Sequence, residues 1–215
     1  MGIYKPCMRL IWIIMVVFLC TACTSKIDRD FERLVKTMEY RRLIEKDNKI
    51  VLLEDFESGM KSYMEIASGN GGKLTADISD DSPVFGNALK LDYRKKLVTT
   101  KNTYAYVYFY GKYNFTNFSA MQFTIKTQGK GGVMDIQLME TDNDTWVWHK
   151  KNFLVMRGTF ESVLKFDDFE IASWSEGDRV FDRSNIKGLV ITFNPSPILP
   201  SQTILIDNVM LLREY

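Results

Sequence analysis

The chain has 215 residues, 46% of them hydrophobic and 26% charged, with 28 basic against 27 acidic side chains and a net charge of +1. That length suits one good-sized domain, and the balanced charge gives no electrostatic footprint for nucleic acid. His149 is the only histidine, and Cys7, Cys20 and Cys23 are the only cysteines, so the chain beyond Cys23 offers no internal disulfide, thiolate nucleophile, cysteine zinc site or histidine cluster.

At the amino terminus, Lys5 and Arg9 precede an apolar run from Leu10 to Leu19, followed by Cys20-Thr-Ala-Cys23. A basic start, a short apolar stretch and small residues before a break predict an export signal. The run is too short to cross roughly 30 Å of hydrocarbon as a permanent span. It resembles a bacterial lipoprotein signal, with Cys20 where that pattern usually has Leu. The resemblance implies removal of residues 1–22 and acylation of Cys23, hence attachment to the envelope membrane through a lipid anchor. Thr24 is not the acidic residue of an inner-membrane retention signal, so the destination expected by analogy is the outer membrane.

Residues 26–49 contain no Gly or Pro and carry mixed charges. Phe31, Leu34, Val35, Met38 and Leu43 recur at three-to-four spacing, which predicts a short amphipathic helix capped by Asp28. With Cys23 it forms a tether, 23–49, acting as a spacer or as a helix that docks a partner or the membrane surface, though its charges are too balanced for a basic membrane-binding face.

From Ile50 onward the period becomes two. Strands are expected at Ile50–Phe56, Lys73–Ile78, Ala88–Tyr93, Thr103–Tyr110, Ala120–Thr127, Val133–Glu140, Thr145–Val155, Phe160–Lys165, Lys187–Phe193 and Thr203–Leu212. Turn signals separate them, among them Gly69-Asn-Gly-Gly72, Gly86-Asn87 and Asn194-Pro-Ser-Pro197. Many short strands without a long helix predict an all-β domain over 50–215, an antiparallel sandwich of jelly-roll type.

The strand Thr103-Tyr-Ala-Tyr-Val-Tyr-Phe-Tyr110 alternates strictly. Tyr104, Tyr106, Tyr108 and Tyr110 share one face, and Ala105, Val107 and Phe109 the other. The aliphatic set suits the interior, which leaves a phenol ladder on an outer sheet face. Phenols offer a flat apolar plane and a hydroxyl, matching the C–H patches and hydroxyls of a sugar ring. The same residues would also serve as cross-strand pairs beneath a loop. Asp135 and Gln137 share one face of their strand, opposite Met134, Ile136 and Leu138. Trp146 and Trp148 share a face of theirs, opposite Val147 and His149. Either the Trp pair joins the tyrosines outside, or it is core and His149 points out. Trp174, in a polar loop, would rim such a site.

Several stretches together resemble the family 11 carbohydrate-binding module and the related complex I intermediate-associated domain, both galactose-binding-like jelly rolls. They are Leu53-Glu-Asp-Phe-Glu57, Gly86-Asn-Ala-Leu-Lys-Leu-Asp92, Phe118 to Lys126, Leu164-Lys-Phe-Asp-Asp-Phe169 and Ile206-Asp-Asn-Val209. Lys165 replaces a usual proline, and Phe160 stands where Trp is common. The resemblance implies non-catalytic binding of a polysaccharide or glycan, and alternation offers Tyr104, Tyr106, Tyr108, Asp135, Gln137, Trp146 and Trp148 to carry it. It also implies a structural Ca²⁺ held by Glu57 and Asp207, a hard ion taking oxygen ligands. The alternative is an envelope protein-interaction module using the same aromatic face. The acid pairs Asp167-Asp168 and Asp142-Asn-Asp144 fall in turn-like contexts and argue for no glycosidase spacing.

Overall fold

A computed structural model of the protein describes residues 36, 38, 39, 42, 48–95, 104–128, 132–142, 145–177, 180–194 and 201–214. The chain divides into two units, Met1–Leu43 and Ile44–Tyr215. In the first, Lys36, Met38, Glu39 and Arg42 are helical and exposed. The expected signal, Cys23 and the rest of the tether helix lie outside the described residues.

In the second unit, period-two alternation turns into two six-stranded antiparallel sheets. The first sheet runs β3 (Gly72–Ser79), β4 (Ala88–Lys95), β12 (Ser201–Leu212), β6 (Ala120–Gln128) and β9 (Gly158–Lys165), and β1 (Ile50–Glu54) also pairs with β12. The second runs β10 (Glu170–Ile171), β8 (Thr145–Val155), β7 (Gly132–Asp142), β11 (Ile186–Asn194), β5 (Tyr104–Tyr113) and β2 (Met64–Gly69). The sheets pack as the sandwich that the sequence predicts.

Every second residue fills the core between them. Leu89 and Leu91 of β4 and Met121, Phe123 and Ile125 of β6 join Ala105, Val107 and Phe109 of β5 in one cluster, with Met134, Ile136 and Leu138 of β7. Tyr93 of β4 stacks on Phe193 of β11 at 5.8 Å, bridging the two layers. Strand β2 is not expected from the sequence. Its Met64-Glu-Ile-Ala-Ser-Gly69 has only two large apolar residues and ends in a glycine turn. Asn70 and Gly71, with φ of 53° and 88°, then carry the chain from the second sheet into the first.

The long strand β12 changes phase midway. Ile204 and Ile206 face the core before Asp207, whereas Val209 and Leu211 do so after it. A bulge between Asp207 and Met210 makes the switch: β6 advances only from Thr124 to Gln122 there, so Asn208 and Val209 oppose Phe123 alone. Asn208 takes the left-handed conformation this needs, at φ 49°. Its amide Nδ2 is buried without a hydrogen-bond partner, so that end of the side chain does nothing to hold the position. Asn208→Gly should therefore leave the urea midpoint nearly unchanged. Asn208→Val should lower stability by about 1–2 kcal/mol, because a branched Cβ resists that conformation. Equal unfolding curves for both variants would contradict this account of the bulge.

Candidate functional site

Antiparallel register assembles the outer face of the second sheet in rungs. Tyr106 lies opposite Thr192, Thr192 opposite Asp135, and Asp135 opposite Asn152. Tyr108, Val190, Gln137 and Lys150 form the next rung, then Tyr110, Gly188, Met139 and Trp148. Four strands at ordinary spacing make a platform roughly 14 Å wide.

On that platform lies a groove of about 610 Å³. Tyr106, Tyr108 and Tyr110 line it from β5, Val190 and Thr192 from β11, and Gln137 and Met139 from β7. Trp146 and Trp148 line it from β8, and Trp174 from the loop that follows β10. None of these side chains carries a formal charge at neutral pH. The volume lies within the roughly 300–1,000 Å³ usual for small-ligand sites.

The groove has a packed floor and exposed walls. Tyr108 is only 5% exposed and clusters with Met139 and Val190, with Tyr106 and Trp148 packed against them. Its hydroxyl donates to Met139 Sδ at 3.0 Å. Burial, then the neighbouring Tyr110, pushes the Tyr108 phenol well above its ordinary pKa, so it stays neutral and donating. Tyr110 stacks obliquely on Tyr108 at 3.9 Å between ring centres, and Trp148 meets Tyr108 edge-on at 6.2 Å. Gly188 makes this possible: a Cβ there would sit 2.4 Å from the Tyr108 hydroxyl. Tyr110, Trp146 and Trp174 are 47%, 52% and 58% exposed and present the open planes.

Polar groups punctuate the floor. Gln137 Nε2 donates to Thr192 Oγ1 at 3.1 Å, which fixes both side chains in the groove. Tyr110 donates its hydroxyl to Glu65 of β2, and that bond raises its pKa. An amide and hydroxyls already held by protein partners are preorganised for a hydroxylated ligand.

The sequence-derived residues are distributed as follows. Tyr106, Tyr108, Gln137, Trp146 and Trp148 come together in the groove. Asp135 is on the same face, in the rung of Tyr106 and Thr192, but it is only 3% exposed and does not line the groove. Tyr104 opens β5 opposite Gly69, and the expectation for its side chain lies outside the described residues. The two arrangements open for β8 resolve to one: Val147 and His149 are 0% and 2% exposed and face inward. His149 Nε2 pairs with Glu140 Oε1 at 2.6 Å, and its ring stacks on Phe181 at 4.4 Å. Val190, Thr192 and Met139 join the groove without a sequence signal that marks them. The run Leu189-Val-Ile-Thr-Phe193 has branched or apolar residues on both faces, with Thr192 its one polar side chain, so periodicity separates inner from outer only weakly.

Glu57 and Asp207 lie apart from the groove and near each other. Asp207 is 0% exposed, accepting from Ser82 Oγ at 2.5 Å and from the Asn208 N–H at 2.7 Å. Burial pushes its carboxyl up to about 7, and the charges of Glu57 and Asp55 push in the same direction. Glu57 accepts from the Asn87 N–H and folds over Gly86, where a Cβ would lie 1.7 Å from its Oε1. Among the described residues, no group of three or more His, Cys, Asp or Glu side chains is arranged for a metal.

No protein-family model and no curated protein matches the sequence. Solved structures do. A family 11 carbohydrate-binding module from Clostridium thermocellum, in complex with a β-1,3-1,4-mixed-linked tetrasaccharide, superposes with a TM-score of 0.63 at 17% identity, covering 76% of this chain and 95% of that one. A family 30 carbohydrate-binding module gives 0.58 at 13%, covering 79% and 90%. The agarase AgWH50C gives 0.56 at 12%, covering 78% of this chain but 25% of the agarase. At these identities the likeness is one of architecture: the chain has the β-sandwich fold seen in the family 11 carbohydrate-binding modules.

Proposed function

We propose that the protein binds an uncharged polysaccharide without catalysis, as a lipid-anchored component of the bacterial envelope. The observation that carries this is the groove itself, open, aromatic-walled and free of charged lining. Sugar rings would lie on Trp146, Trp174 and Tyr110 through their C–H faces. Gln137, Thr192 and Tyr106 would meet the hydroxyls. Each sugar hydroxyl given up by water must be replaced by a protein group, so the net affinity is modest, about micromolar to millimolar. The module that is similar in fold and carries a mixed-linked tetrasaccharide supports a β-glucan as the first ligand to try. In this reading Cys23 is the acylated residue that tethers the domain to the membrane.

Affinity electrophoresis through gels containing mixed-linked β-glucan, cellulose derivatives or agarose tests this. Retardation of the wild type by at least one neutral polysaccharide is expected. Trp146→Ala and Tyr106→Ala should each weaken it about tenfold, near 1.4 kcal/mol. A wild type that migrates freely in every gel would overturn the proposal.

The same reading includes a structural Ca²⁺ at Glu57 and Asp207. The buried Asp207 and the half-buried Glu57, each raising the cost of the other's charge, fit a hard divalent cation with carbonyls completing its shell. Without the ion, folded Asp207 has its pKa raised from 3.8 to about 7. Between those values the folded state binds a proton that the unfolded chain has released. Stability in chelator should therefore fall as pH rises from about 4 to 7, by up to ~4 kcal/mol. Added Ca²⁺ should raise the melting temperature at pH 7 and flatten that slope, and Asp207→Asn should flatten it without the ion. A melting temperature indifferent to Ca²⁺ and chelator at pH 7 would remove the metal from the account.

A further inference from the structure

Trp174 differs from the other groove aromatics in standing on a loop. Its backbone is nevertheless pinned. Ala172 to Ser175 closes a turn through the Ser175 N–H donating to the Ala172 carbonyl at 2.8 Å, with Trp174 at its corner. That turn docks on both backbone groups of Trp148: the Ala172 N–H donates to the Trp148 carbonyl at 2.8 Å, and the Trp148 N–H donates to Ser175 Oγ at 2.9 Å. Gly177 lets the loop lie close, since a Cβ there would meet Val147 Cγ2 at 2.6 Å. What the turn leaves free is the indole's own rotation, at a position 58% exposed. Lys150 answers that freedom. It follows Trp148 on the outer face of β8, opposite Gln137 and Glu170, and its Nζ lies 5.1 Å from the centre of the Trp174 ring. An ammonium over an indole face is attracted to the ring's negative face.

We propose that Lys150 is a positioning residue for the groove, holding the Trp174 indole as a fixed wall against which ligand packs. The ammonium occupies one ring face, and the wall stands before ligand arrives. The effect on affinity is the removal of a rotamer cost from binding. This rests on the polysaccharide reading for its effect on affinity, and not for its effect on the indole.

The test uses the full chain in detergent, labelled with 5-fluorotryptophan, with the Trp174 fluorine resonance assigned by Trp174→Phe. In ligand-free wild type that resonance should be displaced from the solvent-averaged position. Lys150→Met and Lys150→Gln should both move it toward that position, and Lys150→Arg should restore it. In the glucan gels the two uncharged variants should bind about 2- to 5-fold more weakly, and the Arg variant like wild type. An unmoved resonance in both uncharged variants overturns the proposal. A wild type that binds no polysaccharide overturns the functional reading alone, since the fluorine signal still decides the role of Lys150.

Discussion

Tyr108 points away from the sandwich interior and is nevertheless buried, which is possible only because residue 188 has no side chain. An outward tyrosine on a flat strand would ordinarily stand in water. Here the ring leans along the sheet over Gly188, donates to Met139 Sδ and slides beneath Tyr110. The second sheet therefore buries apolar residues on both faces, its inner one against the first sheet and its outer one in a small cluster of its own. That second layer gives the groove a floor that cannot easily deform, since close-packed side chains transmit strain rather than absorb it.

Much of this can be read from residues alone where alternation is strict. In β5 and β7 large apolar residues alternate with Tyr, Asp and Gln, and the inner and outer sets fall where period two puts them. In β8 the pattern is ambiguous, because Trp146 and Trp148 are as apolar as Val147 and His149 is polar. Tertiary packing decides it: the inner position opposite Leu138 faces Glu140, whose Oε1 pairs with the imidazole in an apolar layer. A buried histidine with a carboxylate satisfies its own polarity and is sealed from any ligand in the groove. In β11 three consecutive branched or aliphatic residues hide the phase altogether, so Val190 and Thr192 emerge only from register with β5 and β7. Strand β2 is invisible for the opposite reason, having too little apolar content to stand out from a turn.

Asp135 illustrates a limit of face assignment. Alternation puts it on the groove side correctly, but says nothing of how far along the strand the groove extends. The rung it shares with Thr192 and Asn152 lies at the margin, and neighbouring side chains leave it 3% exposed. The acids that matter to folding are elsewhere. The bulge at Asn208 turns β12 over so that one strand can serve the core along its whole length. Its consequence is a carboxylate, Asp207, at 0% exposure beside the loop that carries Glu57. A phase switch in the backbone is thus followed by a carboxyl held out of water, and that burial raises its pKa to about 7.

The two sheets divide the labour between them. The first holds the bulge and Asp207; the second holds the groove, nine of whose ten lining residues stand on strands and one on a loop. Strand-borne planes are fixed by the hydrogen-bond ladder to within the pleat, so their spacing is a property of the fold and varies little among sequences that adopt it. Trp174 is the exception, because a turn can be lengthened or shortened without disturbing the sheet. Any selectivity of the groove would then depend less on the tyrosine platform than on where that single indole stands, and on the contacts that hold it there.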